Sequence, residues 1–328
     1  MRRALRRAAV TAAAVAAHAA QVEAQTSRDD LRDLVRSLVQ QSGLGEQVQG
    51  ISTFAALPGI SAARFEPDPQ GTIQSQIDRL ILPLAHQFAG PRLLGGAPYL
   101  EATFGYSQFS ESFDTALADD APTRVDRDLR LLSALAGAGW GFALAERTIL
   151  RPTALLGYSF VSDDTNLKGP DSEELEEVLD GILLNIHAHE LLYGAALGLE
   201  HAQPLPAGLG LTASARYSHL WGHTLDASDE ALDGAGNFGV FTAATTLDGP
   251  LGLTLGGRDL RWLTFVTHSR FPGNSGDAIG FDYFYELGGG LKLVDRDVVA
   301  GLDGFSLRAS YITGDDVTGF SLGAKLEF

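Results

Sequence analysis

From about Ile77 to Phe328 the apolar residues of this chain recur at every second position, in segments of roughly 10 to 15 residues. Period two belongs to a pleated strand, whose side chains point alternately to opposite faces. The segments are 77–88, 98–109, 128–142, 148–161, 187–201, 208–221, 237–247, 258–271, 280–294, 304–313 and 318–328. In one of them Leu209, Leu211, Ala213, Ala215 and Tyr217 oppose Thr212, Ser214, Arg216 and Ser218. In another Phe281, Tyr283, Tyr285, Leu287, Leu291 and Leu293 oppose Asp282, Glu286, Gly288, Gly290 and Lys292. In a third Pro152, Ala154, Leu156, Tyr158 and Phe160 oppose Arg151, Thr153, Gly157 and Ser159. The faces of 237–247 and 258–271 do not separate by pattern.

Strands of a soluble sheet are usually about five or six residues long, whereas a tilted membrane-crossing strand needs about nine to eleven. One face here is apolar and the other is Gly, Ser, Thr and scattered charge, which suits a lipid-facing outside around a polar lumen. The bilayer core offers no water to an unpaired strand edge, so such a sheet must close on itself. The expected fold is therefore all-β, a closed antiparallel transmembrane β-barrel. Outside the first twenty residues no run of 18 apolar residues occurs, which excludes a helical membrane protein.

The connections alternate, with 110–127, 162–186 and 222–236 long, 143–147 and 202–207 short, and 248–257 and 272–279 intermediate. In outer-membrane barrels short turns face the periplasm and long loops face outward. The long connections carry the acid: Glu111, Asp114, Asp119 and Asp120, then Asp163, Asp164, Asp171, Glu173, Glu174, Glu176, Glu177 and Asp180, then Asp226, Asp229, Glu230 and Asp233. Residues 171–184 also have the spacing of a small helix. Eleven strands would leave the start of the barrel outside the cell. Either a further strand near 60–66 brings the count to twelve, or the N-terminal segment threads the pore. Twelve strands are expected, with a short N-terminal helix near or inside the lumen.

That helix is read over 27–43. Ser27 caps it, Asp29 and Asp30 favour its positive end, Leu31, Leu34, Val35, Leu38 and Val39 form one stripe, and Gly43 stops it. Its Arg28, Arg32 and Arg36 are expected to dock on acids of the lumen or rim. The glycine- and proline-bearing stretch 44–72 reads as a linker. Before the helix, Arg2, Arg3, Arg6 and Arg7 precede an Ala/Val-rich stretch from Ala8 to Ala20, and Val22 and Ala24 are small or apolar. This is the three-part form of a secretory signal peptide, 1–24. Residues 25–58 then form the helix and linker, a candidate lumen plug, and 59–328 the barrel. Loss of four arginines and Glu23 would take the formal charge from −17 to −20, a balance unsuited to nucleic acid. The chain has no cysteine, so it holds neither disulfides nor thiolate metal sites.

The stretches "PYLEATFGYSQF", "LRPTALLGYSF" and "GFSLGAKLEF", with a helix ahead of about twelve strands and a terminal Phe, resemble the translocator domain of bacterial autotransporters. The resemblance spans roughly residues 60 to 328. It implies residence in the outer membrane of a Gram-negative bacterium. It also implies that the alternate residues Phe320, Leu322, Ala324, Leu326 and Phe328 are what the barrel-assembly machinery reads. Autotransporters carry a passenger of hundreds of residues before the barrel. Here only the stretch from about residue 25 to 60 precedes it, which looks like a solitary barrel without passenger.

The expected lumen charges are Arg79, Glu101, Arg151, Arg216, Glu286, Lys292, Arg308 and Lys325, a mixed set that either pairs within the barrel or lines a channel. His187 and His189 share one strand face about 6.5 to 7 Å apart, beside Glu190, at a spacing that a metal can bridge. His219 and His223 flank the top of a strand, and Ser214 and Ser218 share a face with Arg216 without a histidine placed for a hydrolytic triad. No metal, cofactor or catalytic residue is assigned.

The expected function is an autotransporter-type outer-membrane barrel, structural or transport-related, a monomer and not an enzyme. Its partners are outer-membrane lipid, lipopolysaccharide (through cations on the acidic loops) and the assembly machinery. The alternatives are a passive small-solute channel and, with His187, His189 and His219, a hydrolase or lipid-modifying enzyme. Deleting Phe328 is expected to lower the amount of heat-modifiable barrel in the outer-membrane fraction. Undiminished insertion would count against its role as an assembly signal.

Overall fold

The computed structural model describes residues 28–56, 62–67, 74–88, 95–116, 122–170, 172–294 and 304–327. Residues 1–24 and Phe328 lie outside them. Twelve strands form the wall: β1 (Ala62–Pro67), β2 (Gln74–Gln87), β3 (Ala97–Ala116), β4 (Pro122–Ala145), β5 (Thr148–Lys168), β6 (His187–Pro204), β7 (Gly210–Ala227), β8 (Ala235–Leu255), β9 (Arg258–Arg270), β10 (Tyr283–Val294), β11 (Gly304–Gly314) and β12 (Val317–Glu327). Each pairs antiparallel with its neighbours in sequence, and β1 pairs with β12, from Ala62 opposite Leu322 to Pro67 opposite Val317. The barrel is closed. Leu80, Leu82, Leu132, Leu156, Leu197, Leu287 and Leu307 are exposed on its outer face, as the alternation requires.

Several strands run further than the apolar pattern does. β3 and β4 have 20 and 24 residues, so most of the expected 110–127 loop is a hairpin. Past Tyr106 and Leu132 the outward residues turn polar, and pairing continues as a polar ladder. There the Ser110 hydroxyl donates to Asp128 at 2.5 Å, and Lys168 Nζ lies 2.8 Å from Asp126. At the opposite end, the intermediate connection 248–257 becomes a tight hairpin. Gly256 and Gly257 take φ of +62° and +80° there, a pair of left-handed residues that glycine adopts without strain.

Among the described residues four α-helices accompany the wall: α1 (Arg28–Ser42), α2 (Leu44–Ala56), α3 (Ser172–Leu179) and α4 (Asn274–Ile279). Gly43, at φ +69°, breaks α1 from α2. α1 lies at the loop end against α3 and the turn at Glu230–Leu232, burying Val35 and Val39. The element inside the barrel is α2, in the stretch read as linker. It packs on the inner face of β2 to β5, β7 and β8 and on α4. The further strand and the threaded helix, posed as alternatives, are both present. α1 and then α2 carry the chain from the loop end down into the lumen.

α2 changes the character of the interior. In the loop half, the inward residues Phe65, Ile77, Phe109, Leu131, Val161, Leu192, Leu220 and Ile312 are buried with Leu44, Val48, Ile51 and Phe54 in one apolar core. This corrects the expectation of a polar lumen for that half: inward positions turn apolar where a helix covers them. Phe281, expected on the lipid face, is buried there too, with ring centroids 6.2 Å from Phe54, because β10 begins only at Tyr283. Gly45 and Gly50 let α2 approach closely. A Cβ at Gly50 would overlap the Cβ of Ala278 and lie 2.8 Å from Phe238 Cε1. Gly50→Leu is therefore expected to push α2 off the wall while the barrel still folds. With Ile51→Cys as the only thiol, maleimide labelling should quicken at least tenfold when Gly50→Leu is added, and equal rates would count against this packing.

Candidate functional site

The interior has two layers. The upper one is aromatic and centres on Phe54, whose ring lies 5.8 Å from Phe65, 6.5 Å from Phe109 and 5.8 Å from Phe271. Edge-to-face contacts of this kind add roughly 0.5–1.5 kcal/mol each beyond area burial. Beneath it the Arg79 guanidinium stands 4.4 Å from the centre of the Phe54 ring. A cation over a ring face in a desolvated site is attracted by the ring quadrupole. On the wall, the Gln49 amide donates to Thr224 Oγ1 at 3.1 Å and to the Gly234 carbonyl at 2.7 Å. The buried Glu190 accepts the Ser159 hydroxyl at 2.7 Å and faces Ser52 of α2.

The lower layer is charged and surrounds a cavity of about 630 Å³ whose ceiling includes Phe54, Phe271 and Phe284. Seven of the eight expected lumen charges line it: Arg79, Glu101, Arg151, Arg216, Glu286, Lys292 and Arg308. For Lys325 the described residues include its place on β12 but not its side chain. Glu101 and Arg216 form a two-pronged pair, 2.6 and 3.0 Å, and Tyr99 donates to the same carboxylate at 2.9 Å. Because Glu101 is on β3 and Arg216 on β7, this pair crosses the lumen. Arg151 lies 3.0 Å from Glu200 and 3.1 Å from Gln87 Oε1, with its guanidinium 5.5 Å from the Tyr99 ring centre. Glu286 accepts Ser310 at 2.5 Å and Ser321 at 3.2 Å.

At the loop end three arginines join α1 to the loops. Arg28 pairs with Glu177 at 2.9 Å, and Arg36 with Asp229 at 2.9 Å. Arg32 donates to the carbonyls of Glu177 and Val178 in the last turn of α3 and of Asp180 just past it, where a cation suits the negative end of the helix. The hydrogen bond that Arg36 donates to Asp229 raises the pKa of Arg36 above its ordinary value.

Of the alternate residues on β12, Phe320 and Leu322 are 69% and 70% exposed on the outer face and Ala324 is exposed with them. The side chain of Leu326 is outside the described residues. His187 and His189 point outward and Glu190 inward, so the three do not converge. Among the described residues no cluster of three or more metal-ligating side chains forms. Ser214, Ser218 and Arg216 share the inner face, and Arg216 Nε donates to Ser218 at 3.1 Å. The parts missed from sequence are α2 and Tyr99. Leu44, Val48, Ile51 and Phe54 at helical spacing, with Gly45 and Gly50, were the signal for α2.

A closed twelve-stranded antiparallel barrel, leucine-rich outside and helix-filled within, is the build of an integral outer-membrane β-barrel. The profile of the family described as "Solitary outer membrane autotransporter beta-barrel domain" matches residues 65–323, and the chain belongs to that family. Similar solved structures include the β domain of the Bordetella autotransporter BrkA, at 13% identity over 81% of this chain and 96% of that one, with a TM-score of 0.49. The transport unit of AIDA-I from Escherichia coli has 13% identity, 88% and 99% coverage and a TM-score of 0.46. The translocator domain of NalP from Neisseria meningitidis has 13% identity, 89% and 97% coverage and a TM-score of 0.42. No match was found among curated proteins.

Glu101→Gln strips the negative partner from a pair that is neither fully buried nor solvated. It is expected to cost about 1–3 kcal/mol, between the values for exposed and buried pairs. Urea unfolding in lipid vesicles measures it, and an unchanged midpoint would mean that the pair across the lumen carries no stability.

Proposed function

We propose that this protein is a sealed autotransporter-type barrel of the bacterial outer membrane, structural or transport-related, that holds its own N-terminal segment at the outer surface and performs no chemistry. The observation that carries this reading is α2, seated in the loop half of the lumen in a dry aromatic core. Its support comes from both ends: the arginines of α1 grip α3 and Asp229 above, and Arg79 underlies Phe54 below. In this reading the loop end faces outward and the tight turns face the periplasm. The signal peptide at 1–24 brings the chain across the inner membrane, and the assembly machinery inserts it as a monomer. Outer-membrane lipid, lipopolysaccharide included, surrounds the leucine-rich wall. The net charge of −17 argues against nucleic acid as a partner.

A second reading is favoured by one feature, the charged cavity of about 630 Å³ beneath the plug, which is the lining of a small-solute channel were α2 to leave. Single-channel recording separates the two. The intact chain is expected to be nearly silent, and removal of residues 28–56 should raise conductance at least several-fold. Equal conductance before and after would sink the plug. A steady open conductance in the intact protein would favour the passive channel.

A further inference from the structure

Glu190 sits where an ionised group is costly. It is 1% exposed on the inner face of β6, and Val48, Ile51, Val161, Leu192 and Leu220 belong to the apolar core around it. Its Oε2 accepts the Ser159 hydroxyl at 2.7 Å, while its Oε1 receives no hydrogen bond among the described residues. The carboxyl also faces Ser52 of α2. The Ser52 hydroxyl gives its single proton to the Val48 carbonyl, 3.1 Å away in the same helix. It therefore turns lone pairs, and no proton, towards Glu190. An ionised carboxylate would meet an acceptor there, inside an apolar core. A carboxylic acid with its proton on Oε1 turns the same contact into a hydrogen bond from the wall to the plug.

The charges around Glu190 are engaged elsewhere. On β5, β6 and β7 the other inward charges pair with one another or with a neighbouring strand: Arg151 with Glu200, Asp163 with Arg127, and Arg216 with Glu101. α2 brings Glu46 and no base. Across the register on β7 stands Thr224, a neutral residue that the Gln49 amide already engages. Glu190 lies on the loop side of the stacked Tyr193–Trp221 pair, beside His189 and Asp226, beyond the lipid-crossing part of β6. Burial pushes its carboxyl from the ordinary 4.5 up to about 7, and the contacts with Ser52 and Ser159 offset this only in part. With α2 gone, the same carboxyl would face water and return towards 4.5. Between those two values the seated state holds the proton and the open state does not. The seat is therefore firmest below pH 4.5 and weakens as pH rises to about 7, by up to roughly tenfold per pH unit, then levels off.

We propose that Glu190 and Ser52 form a proton-operated latch: the un-ionised acid ties the wall to α2, and loss of its proton frees the plug to leave the lumen. This latch presupposes the plug reading above and deepens it by naming what regulates the seal. Single-channel recording of the full chain at about pH 5 and about pH 8 tests it. The unaltered chain should be open at least tenfold more of the time at the higher pH. Glu190→Gln keeps a donor for Ser52 at either pH and should stay shut at both. Ser52→Ala removes the acceptor and should open more often than the unaltered chain at about pH 5. Infrared spectra of the folded protein should show an un-ionised carboxyl band that fades between the two pH values and that Glu190→Gln removes. Equal opening of the unaltered chain at both pH values would overturn the latch without recourse to any variant. So would pH-dependent opening that survives in Glu190→Gln with its heat-modifiable gel band intact. If removal of residues 28–56 leaves conductance unchanged at both pH values, the plug reading itself falls and takes the latch with it.

Discussion

The seam between β1 and β12 is the interaction on which the rest depends. Six residue pairs, Ala62 with Leu322 through Pro67 with Val317, join the ends of a sheet that would otherwise present two edges to lipid. Each unpaired peptide group in hydrocarbon costs several kcal/mol, so the seam is a condition for the other eleven strand pairs to exist in a membrane. It also explains why β1 can be short. Phe65 and Ala63 turn inward to the apolar core while Arg64 stays outside, bonded to Asp78 through Nε at 2.7 Å. β1 is held by the core as well as by its hydrogen bonds.

Closure creates an interior, and the interior is filled in two ways. In the loop half a helix supplies the missing apolar partner, so inward Phe, Ile and Leu are sealed as in a soluble protein. In the turn half no described helix covers the wall, and charges of both signs line the cavity. The bidentate Glu101–Arg216 pair is worth more there than on an open surface, because Tyr99 and Ser218 satisfy further lone pairs and donors. Arg79 lies where the halves meet, with its guanidinium against Phe54 and in the electrostatic reach of Glu286. The outer surface has a similar division. Around β3 to β5 it extends towards the loops as a ladder of ion pairs, and around β6 and β7 it carries histidines among aromatic rings.

Much of the wall was legible because period two survives wherever one face meets lipid. Leu209 to Tyr217 and Pro152 to Phe160 show this most plainly, and the lumen charges fell on the inner face for the same reason. Legibility failed where that contrast vanished. Ser112 and Asp126 are polar on a strand that has left the bilayer, so alternation gave no sign that β3 and β4 went on pairing. Phe284 and Phe281 are apolar on the inside because α2 is there, and a pattern that assumes a wet lumen assigns such residues wrongly. α2 itself was hidden by its glycines, which count against a helix locally and serve close packing in the fold.

By itself the sequence determined a closed antiparallel barrel with an apolar outside, a helix before the first strand and a mixed set of inward charges. Those follow from the period of a strand and from the need to pair every backbone group in lipid. Only the tertiary structure decided that α2 occupies the loop half, that Glu101 meets Arg216 across the lumen, and that Ser52 faces Glu190. Each of these joins residues brought together by barrel curvature and strand register, which local pattern does not encode.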